Sequence, residues 1–265
     1  MRRSPVPVVT VHHALEVTEL STGNGIKSRI KSALERYTGP WAIAQAAAIA
    51  GVTWEIARYE AARSLSDNQP IFRYSNGAYY EAGAVVPRVP NREIPELLFI
   101  ASRFAPWIGL DRVLLAAAET DRSFIIHLVG EVPDELARQV SEDSRFVIHG
   151  LQSFEYIRKL MTQCTLGLAS FGLDRNHMRE GCTLKVREYL KAGLPVYASY
   201  VDSFPEEFKY YQCGPVIMES ILEFADKMSG AMSREVSEAS RPHIDKKELL
   251  KEFYSEIECL LEKVQ

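Results

Sequence analysis

No apolar run in these 265 residues is long enough to cross a bilayer as a helix. A basic excess is missing too. The 31 Lys and Arg stand against 35 Asp and Glu, leaving a net charge of −4, which argues against broad nucleic-acid binding. The chain has only four cysteines, Cys164, Cys182, Cys213 and Cys259. Their wide, irregular spacing suits free thiols in a reducing cytosol better than a disulfide frame or a zinc site. There is no Asp-x-Asp pair suited to bridging a metal and a diphosphate. The stretch from Met1 to His12 is basic and then apolar. Pro5 and Pro7 interrupt it and no small-residue cleavage site follows, so a secretion signal is not expected. Internal repeats and low-complexity tracts are absent, and no basic amphipathic helix makes a strong case for a membrane surface.

What is there is ordinary for a globular chain: 46% hydrophobic, 25% charged and 10% aromatic residues. Length allows one large domain or two modest ones. Val6 to Val11 reads as a buried strand, and Ser21 to Gly25 as a loop. Lys27 to Tyr37 reads as a charged amphipathic helix ended by Gly39-Pro40. The Ala-rich Trp41 to Ala50 suits a short buried helix. Thr53 is placed to cap a helix from Trp54 to Leu65, and Ile71 to Tyr74 is a short strand before the Ser75-Asn-Gly77 turn. Val85 to Arg92 has the composition of a linker.

Beyond it the pattern is regular. Strands are expected at Glu96–Ala101, Ser123–Val129, Phe146–His149, Thr165–Ala169 and Leu194–Ser199. Helices are expected at Leu110–Glu119, Asp134–Val140 and Phe154–Met161, with another ending at Ala192. This alternation predicts a parallel sheet with helices on both faces. Lys246 to Val264 is a last amphipathic helix, with Leu249, Leu250, Phe253, Ile257, Leu260 and Leu261 at helical spacing.

In such sheets ligands bind outside the carboxyl ends of the strands. Two expected loops lie there, Ser102–Gly109 and Gly172–Thr183. Arg103 can clamp a diphosphate, because guanidinium stays charged and donates two parallel bonds. Taken alone, a loop arginine is more often a solvated surface charge. Glu180 and Glu188 have seven residues between them, one before a helix and one on its second turn. They can accept bonds from sugar and ribose hydroxyls, and the helix start offers N–H groups and a positive dipole end to phosphates. Such carboxylate pairs are common on solvated faces, and Lys185 could equally be a surface charge paired with Glu188.

The ordered combination is more specific than its members. Glu180, Glu188 and the run Tyr189-Leu-Lys-Ala-Gly-Leu-Pro-Val-Tyr-Ala-Ser199 resemble the donor-site signature of the group 1 (family four) glycosyltransferases, which have the GT-B fold. Leu98 to Arg112, His127-Leu-Val-Gly130 and Val147-Ile-His-Gly150 resemble further strand ends of that domain. The likeness covers about residues 95 to 205. It implies an α/β, GT-B-like chain: a complete Rossmann-like donor domain with a parallel sheet, and a partial N-terminal Rossmann-like domain. The implied layout is residues 1–91 on the acceptor side, 92–242 binding a nucleotide-sugar donor, and 243–265 packing back on the N-terminal part.

By that resemblance Glu180 holds the transferred sugar, Glu188 the ribose hydroxyls and Arg103 the diphosphate, with Gly181, Cys182 and Thr183 lining the phosphate end. Pro7 to His12 resembles the strand that delivers an active-site histidine, making His12 the candidate and His13 the runner-up. The plainer reading of His12 is a strand-end histidine bonded to backbone. Gly51 to Glu60 and Tyr74 to Gly77 resemble the last part of the acceptor domain. One departure stands out: the family places lysine or histidine where this chain has Ile108, so a second cation is missing unless Lys185 replaces it.

The implied activity is transfer of a sugar from a nucleoside-diphosphate sugar to a hydroxyl acceptor, with retention. No metal and no further cofactor are implied. Polysaccharide or surface-glycan assembly in the cytoplasm is the expected setting. A lipid-linked glycan acceptor and peripheral attachment at the inner membrane surface stay open. Fewer than a hundred residues precede the expected donor domain, about half of what a full Rossmann-like domain needs. A partner chain, self-association, a rearranged first unit or a longer parent enzyme would each account for that. The alternative reading is a non-catalytic or partner-dependent nucleotide-sugar-binding remnant. A third, an epimerase acting on the nucleotide sugar, lacks a convincing acid–base set.

Overall fold

In the computed structural model, residues 6–21, 25–81, 85–90 and 93–264 are described. Of the loop expected over Ser21–Gly25, residues 22–24 lie outside them and Ser21 ends a helix, and the expected domain boundary at 91/92 also lies outside them. The chain divides into two compact units. The first comprises Met1–Asn76, Glu180–Cys182 and Lys247–Gln265; the second comprises Gly77–Arg179 and Thr183–Lys246.

The first unit is built on a three-stranded parallel sheet, ordered β1 (Val9–His12), β2 (Ala48–Gly51), β3 (Ile71–Arg73). Between β1 and β2 come helices α1 (Glu16–Ser21) and α2 (Ile26–Ala44), and α3 (Trp54–Arg63) connects β2 to β3. The expected helix over Trp41–Ala50 is not formed. Its first four residues end α2, and Ala48-Ile-Ala-Gly51 is the fully buried middle strand. Ala-rich sequence favours helix only weakly, and pairing on both sides overrides it.

Nor does Gly39-Pro40 end α2. A side chain at Gly39 would collide with Glu35 and Arg63, which pair across that position. The glycine is therefore room for an ion pair and not a stop signal. Thr53 caps α3 as expected, its hydroxyl accepting from the Ile56 N–H at 3.2 Å. α10 (Lys246–Val264) lays Phe253 on Tyr74, ring centroids 4.5 Å apart.

The second unit carries a six-stranded parallel sheet: β4 (Glu96–Arg103), β5 (Ile125–Glu131), β6 (Phe146–Gly150), β7 (Leu166–Leu168), β8 (Val196–Ala198) and β9 (Tyr211–Cys213). Its spatial order is β6-β5-β4-β7-β8-β9. The chain steps outward from β4 to β6, then returns to β4's other side, so the order reverses between β4 and β7. The connecting helices are α4 (Leu110–Ala118), α5 (Asp134–Ser141), α6 (Phe154–Met161) and α7 (Leu184–Ala192), followed by α8 (Met218–Met228) and α9 (Ser233–Ile244). One continuous core runs through it, with Leu97, Leu98, Phe99, Leu128, Leu168, Tyr189 and Val196 closed to solvent. Both faces of the sheet are covered, as the near-continuous apolar strands require.

Candidate functional site

The strand-order reversal between β4 and β7 sets where a ligand can sit in the second unit. The loop after β4 carries Arg103 to Gly109; the loop after β7 leads toward α7. Gly109, at φ +80°, starts α4, and a side chain on it would run into the Phe171 backbone at 2.7 Å. A side chain at Gly172 would meet the Pro106 carbonyl at 2.7 Å. Two reciprocal ion pairs stitch the same loops. Arg112 holds Asp174 through bonds of 2.7 and 2.8 Å, and Arg175 holds Asp111 through bonds of 2.9 and 2.6 Å. These guanidiniums pull both aspartate carboxyls below their usual range.

Arg103 ends β4. Its side chain is 65% exposed, and its Nε lies 3.6 Å from Glu131. Most of the guanidinium fork therefore faces solvent and can take a phosphate. Ile108 behaves differently. Its side chain is packed into the core at 8% exposure, so the position that the resemblance sets against a cation points inward.

Thr183 stands just before α7, at its N-cap position, but its side chain makes no cap; its hydroxyl bonds instead to the Tyr200 hydroxyl at 2.9 Å. The first N–H groups of α7 are thus without a side-chain cap, the arrangement that takes an anion. On the same turn stands Lys185. Its stem is partly exposed, but its ammonium is sealed from solvent and has no hydrogen-bond partner. It lies 5.8 Å from the centre of the Phe99 ring. Burial lowers its pKa to about 8. The alternative reading of Lys185 as a surface charge paired with Glu188 is not what forms: Glu188 pairs with Lys191 at 2.5 Å.

α7 is held by contacts that sequence reasoning missed. Arg187 is fully buried and donates two 2.5 Å bonds to the equally buried Asp202, with a third to the Ser203 hydroxyl at 2.9 Å. The Tyr189 hydroxyl donates to the Leu98 carbonyl and accepts from the Ile100 N–H. Gly193, at φ +91°, closes the helix, as the glycine stop predicted. The only signal in the sequence was apolar spacing: Arg187 lies between Val186 and Leu190, both buried, but a charged side chain at that place reads as solvated unless its partner Asp202 is known.

In the first unit, His12 ends β1 beside Gly51, its register partner on β2. Its Nδ1 is 3.4 Å from Glu16 and 3.9 Å from Glu60, while its Nε2 is buried and unpartnered. The plainer reading, a ring bonded to backbone, is not what forms. The His12 hydrogen bond lowers the Glu16 pKa. Burial raises that of Glu60, despite Arg63 at 2.7 Å. His13 is exposed.

Glu180 lies in this unit too. It exchanges bonds with Glu55 at the start of α3. The Glu55 N–H donates to Glu180 Oε2 at 3.0 Å, and the Glu180 N–H donates to Glu55 Oε2 at 2.8 Å. Cys182 is tied to Asn76, which donates its amide N–H to the sulfur at 3.1 Å and its side-chain N–H to the carbonyl at 2.6 Å. The four cysteines are free thiols. Among the described residues no three of His, Cys, Asp and Glu gather in a way that could hold a metal ion. No described helix is long and apolar enough to cross a membrane.

No protein-family model matches the sequence, and neither does any curated protein. Solved structures do match. The lipopolysaccharide outer core galactosyltransferase WaaB in its apo form aligns over 93% of this chain and 75% of its own, at 15% identity and a TM-score of 0.60. Sucrose-phosphate synthase from Thermosynechococcus elongatus aligns over 96% of this chain and 68% of its own, at 16% identity and a TM-score of 0.65. HepE of Anabaena, in complex with UDP-glucose, aligns over 94% and 72%, at 12% identity and a TM-score of 0.60. Likeness at these identities establishes the fold. The chain is α/β and GT-B-like, as the motif order implies.

Proposed function

We propose that this chain is a glycosyltransferase that moves a sugar from a nucleoside-diphosphate sugar to a hydroxyl acceptor. The observation carrying this reading is the uncapped start of α7 beside the strand-order reversal, with the unpartnered Lys185 ammonium on its first turn. An anion there would meet N–H groups that no side chain caps and a dipole end, and the Lys185 ammonium would have to swing out from beside the Phe99 ring to reach it.

The proposed roles follow the motif order. Arg103, Lys185 and the backbone of Gly181, Cys182 and Thr183 take the diphosphate. Glu188 takes the ribose hydroxyls, Glu180 the transferred sugar, and His12 contacts the reaction zone. The acceptor oxygen attacks the anomeric carbon from the face the nucleotide leaves. The bond to the phosphate oxygen breaks, that oxygen takes the acceptor proton, and configuration is retained. Charge growing on the leaving diphosphate is met by Arg103, Lys185 and the α7 dipole, and the proposal calls on no metal or further cofactor. One such donor is worth about a hundredfold or more in rate. The setting that fits is cytoplasmic assembly of a polysaccharide or surface glycan, with lipid-linked glycans in the acceptor class. The names of the similar proteins, a galactosyltransferase and a UDP-glucose complex among them, support the donor class.

The core packing of Ile108 favours a second reading, in which the chain binds a nucleotide sugar but turns it over only with a partner. A partner or second copy could pair with β1 or β3, each of which has a strand neighbour on one side only among the described residues.

Calorimetric titration tests the donor site. Arg103→Ala should weaken nucleoside-diphosphate binding by about tenfold while leaving nucleoside binding near the parent's, as loss of one charge-assisted bond implies. Glu188→Ala should weaken both, through the ribose. Equal losses for the two ligands in Arg103→Ala would remove its phosphate role. Donor hydrolysis or transfer by the purified chain would count against the partner-dependent reading.

A further inference from the structure

α2 is turned inside out relative to an ordinary surface helix. Ser32, Gly39 and Ile43 face inward. The Ser32 and Ser28 hydroxyls bond to the Val17 and Leu20 carbonyls of α1. The opposite face carries Ile26, Ile30, Leu34, Tyr37 and Trp41, exposed by 76%, 60%, 60%, 86% and 44%. At 3.6 residues per turn these five fall within an arc of about 80° and make one stripe along the helix. Isolated exposed apolar residues are normal, whereas a continuous stripe of five large ones marks an interaction surface.

The flanks say what kind. Lys27 and Lys31 border the stripe on one side and Arg29 and Arg36 on the other, all four exposed. None of them has an ion-pair partner among the described residues. The helix's one acid, Glu35, is taken by Arg63 of α3. In a chain of net charge −4 this is a local basic strip. Like charge on both flanks opposes a second copy, because facing helices would bring eight cations together. An apolar stripe bordered by cations, with Tyr37 and Trp41 among its large side chains, matches the interface of an anionic bilayer.

We infer that α2 is an interfacial helix that seats the first unit on an anionic lipid surface. The apolar stripe enters the headgroup boundary and the four cations meet lipid phosphates. This corrects the expectation from sequence, where Gly39-Pro40 cut the helix short and hid the stripe's length. The inference stands whether or not the chain transfers sugar.

The test is flotation of the full chain with two kinds of vesicle, phosphatidylcholine alone and phosphatidylcholine with about one third phosphatidylglycerol. The chain should float with the anionic vesicles and stay behind with the neutral ones, and added salt should release it. Ile30→Glu with Tyr37→Glu should lower anionic-vesicle partitioning by at least about tenfold, and Lys27→Glu with Lys31→Glu should abolish the anionic preference. Brominated lipid should quench parent fluorescence, and Trp41→Phe, which adds no charge, should remove that quenching. Failure of the parent to float, or equal flotation of parent and Ile30→Glu/Tyr37→Glu, would overturn the inference. So would light scattering that shows a parent dimer converted to monomer by the same pair, since the stripe would then be an interface between copies.

Discussion

Lys185 holds the sharpest chemistry at the scale of single residues. Its ammonium is buried without a partner, and its pKa sits at about 8, against an ordinary 10.5. Because the folded value lies below the unfolded one, the charge costs stability. That cost is full below about pH 8 and fades as pH rises toward 10.5, where the unfolded chain also gives up its proton. Lys185→Met should therefore raise unfolding free energy at pH 7 by on the order of 3 kcal/mol. Urea titrations between neutral pH and about pH 10 should show the gain shrinking with pH, and a gain independent of pH would mean the ammonium is not held as described. The same variant should bind nucleoside diphosphate more weakly, trading stability for a cation kept ready for phosphate. Ile108 sets the opposite case. Because its side chain is in the core, Ile108→Lys should lower the melting temperature and leave diphosphate affinity unchanged. A tighter diphosphate complex from that variant would show that the loop after β4 can turn the position outward.

At the scale of elements, α7 carries the proposed donor site and the Arg187–Asp202 pair holds α7. Both side chains are wholly closed to solvent. Removing one partner of such a pair strands a buried charge and typically costs about 3–5 kcal/mol. Asp202→Ala should lower stability by that order in denaturant unfolding, far more than Asp174→Ala, whose partner Arg112 is partly exposed. If the two variants unfold alike, the buried pair is not what holds the helix. Most elements of the second unit were legible because apolar strands alternate with amphipathic helices at a fixed spacing. The ends of α6, α7 and α10 match the expectation residue for residue, since Ser153, Gly193 and Asp245 punctuate them. Part of what escaped was non-local: β9 is three residues long, and β2 was hidden in Ala-rich sequence that only its two neighbours make into a strand. α8 escaped although Met218, Ile221, Leu222, Ala225 and Met228 recur at helical spacing, and α9 carries Pro242 inside it, which reads as a stop. His127 and His149 read as strand-end markers, yet their rings lie in hydrogen-bond contact at 3.0 Å, a pairing set by β5–β6 register. Lys185 and Arg187 share one short helix, and spacing alone did not foretell that both turn inward.

For the whole molecule, the two units divide the proposed work in a way that can be measured. Arg103, Thr183, Lys185 and Glu188 lie in the second unit, whereas His12 and Glu180 lie in the first. The residues assigned to the diphosphate and ribose are thus mostly separate in chain grouping from those assigned to the sugar and the reaction zone. His12 offers a buried, unpartnered Nε2, with Glu16 and Glu60 near its other nitrogen. A bond from that nitrogen made mainly in the transition state affects turnover without affecting nucleotide affinity. His12→Ala should therefore keep nucleoside-diphosphate affinity within about twofold by calorimetry while lowering kcat by about tenfold to a hundredfold, the worth of one such bond. Loss of affinity with unchanged kcat would move His12 into the nucleotide site and undo the division. A parent chain that binds donor but shows no turnover until a partner is added would shift the same comparison to the assembled pair. There His12→Ala should still separate rate from affinity, because its effect belongs to the step at the sugar.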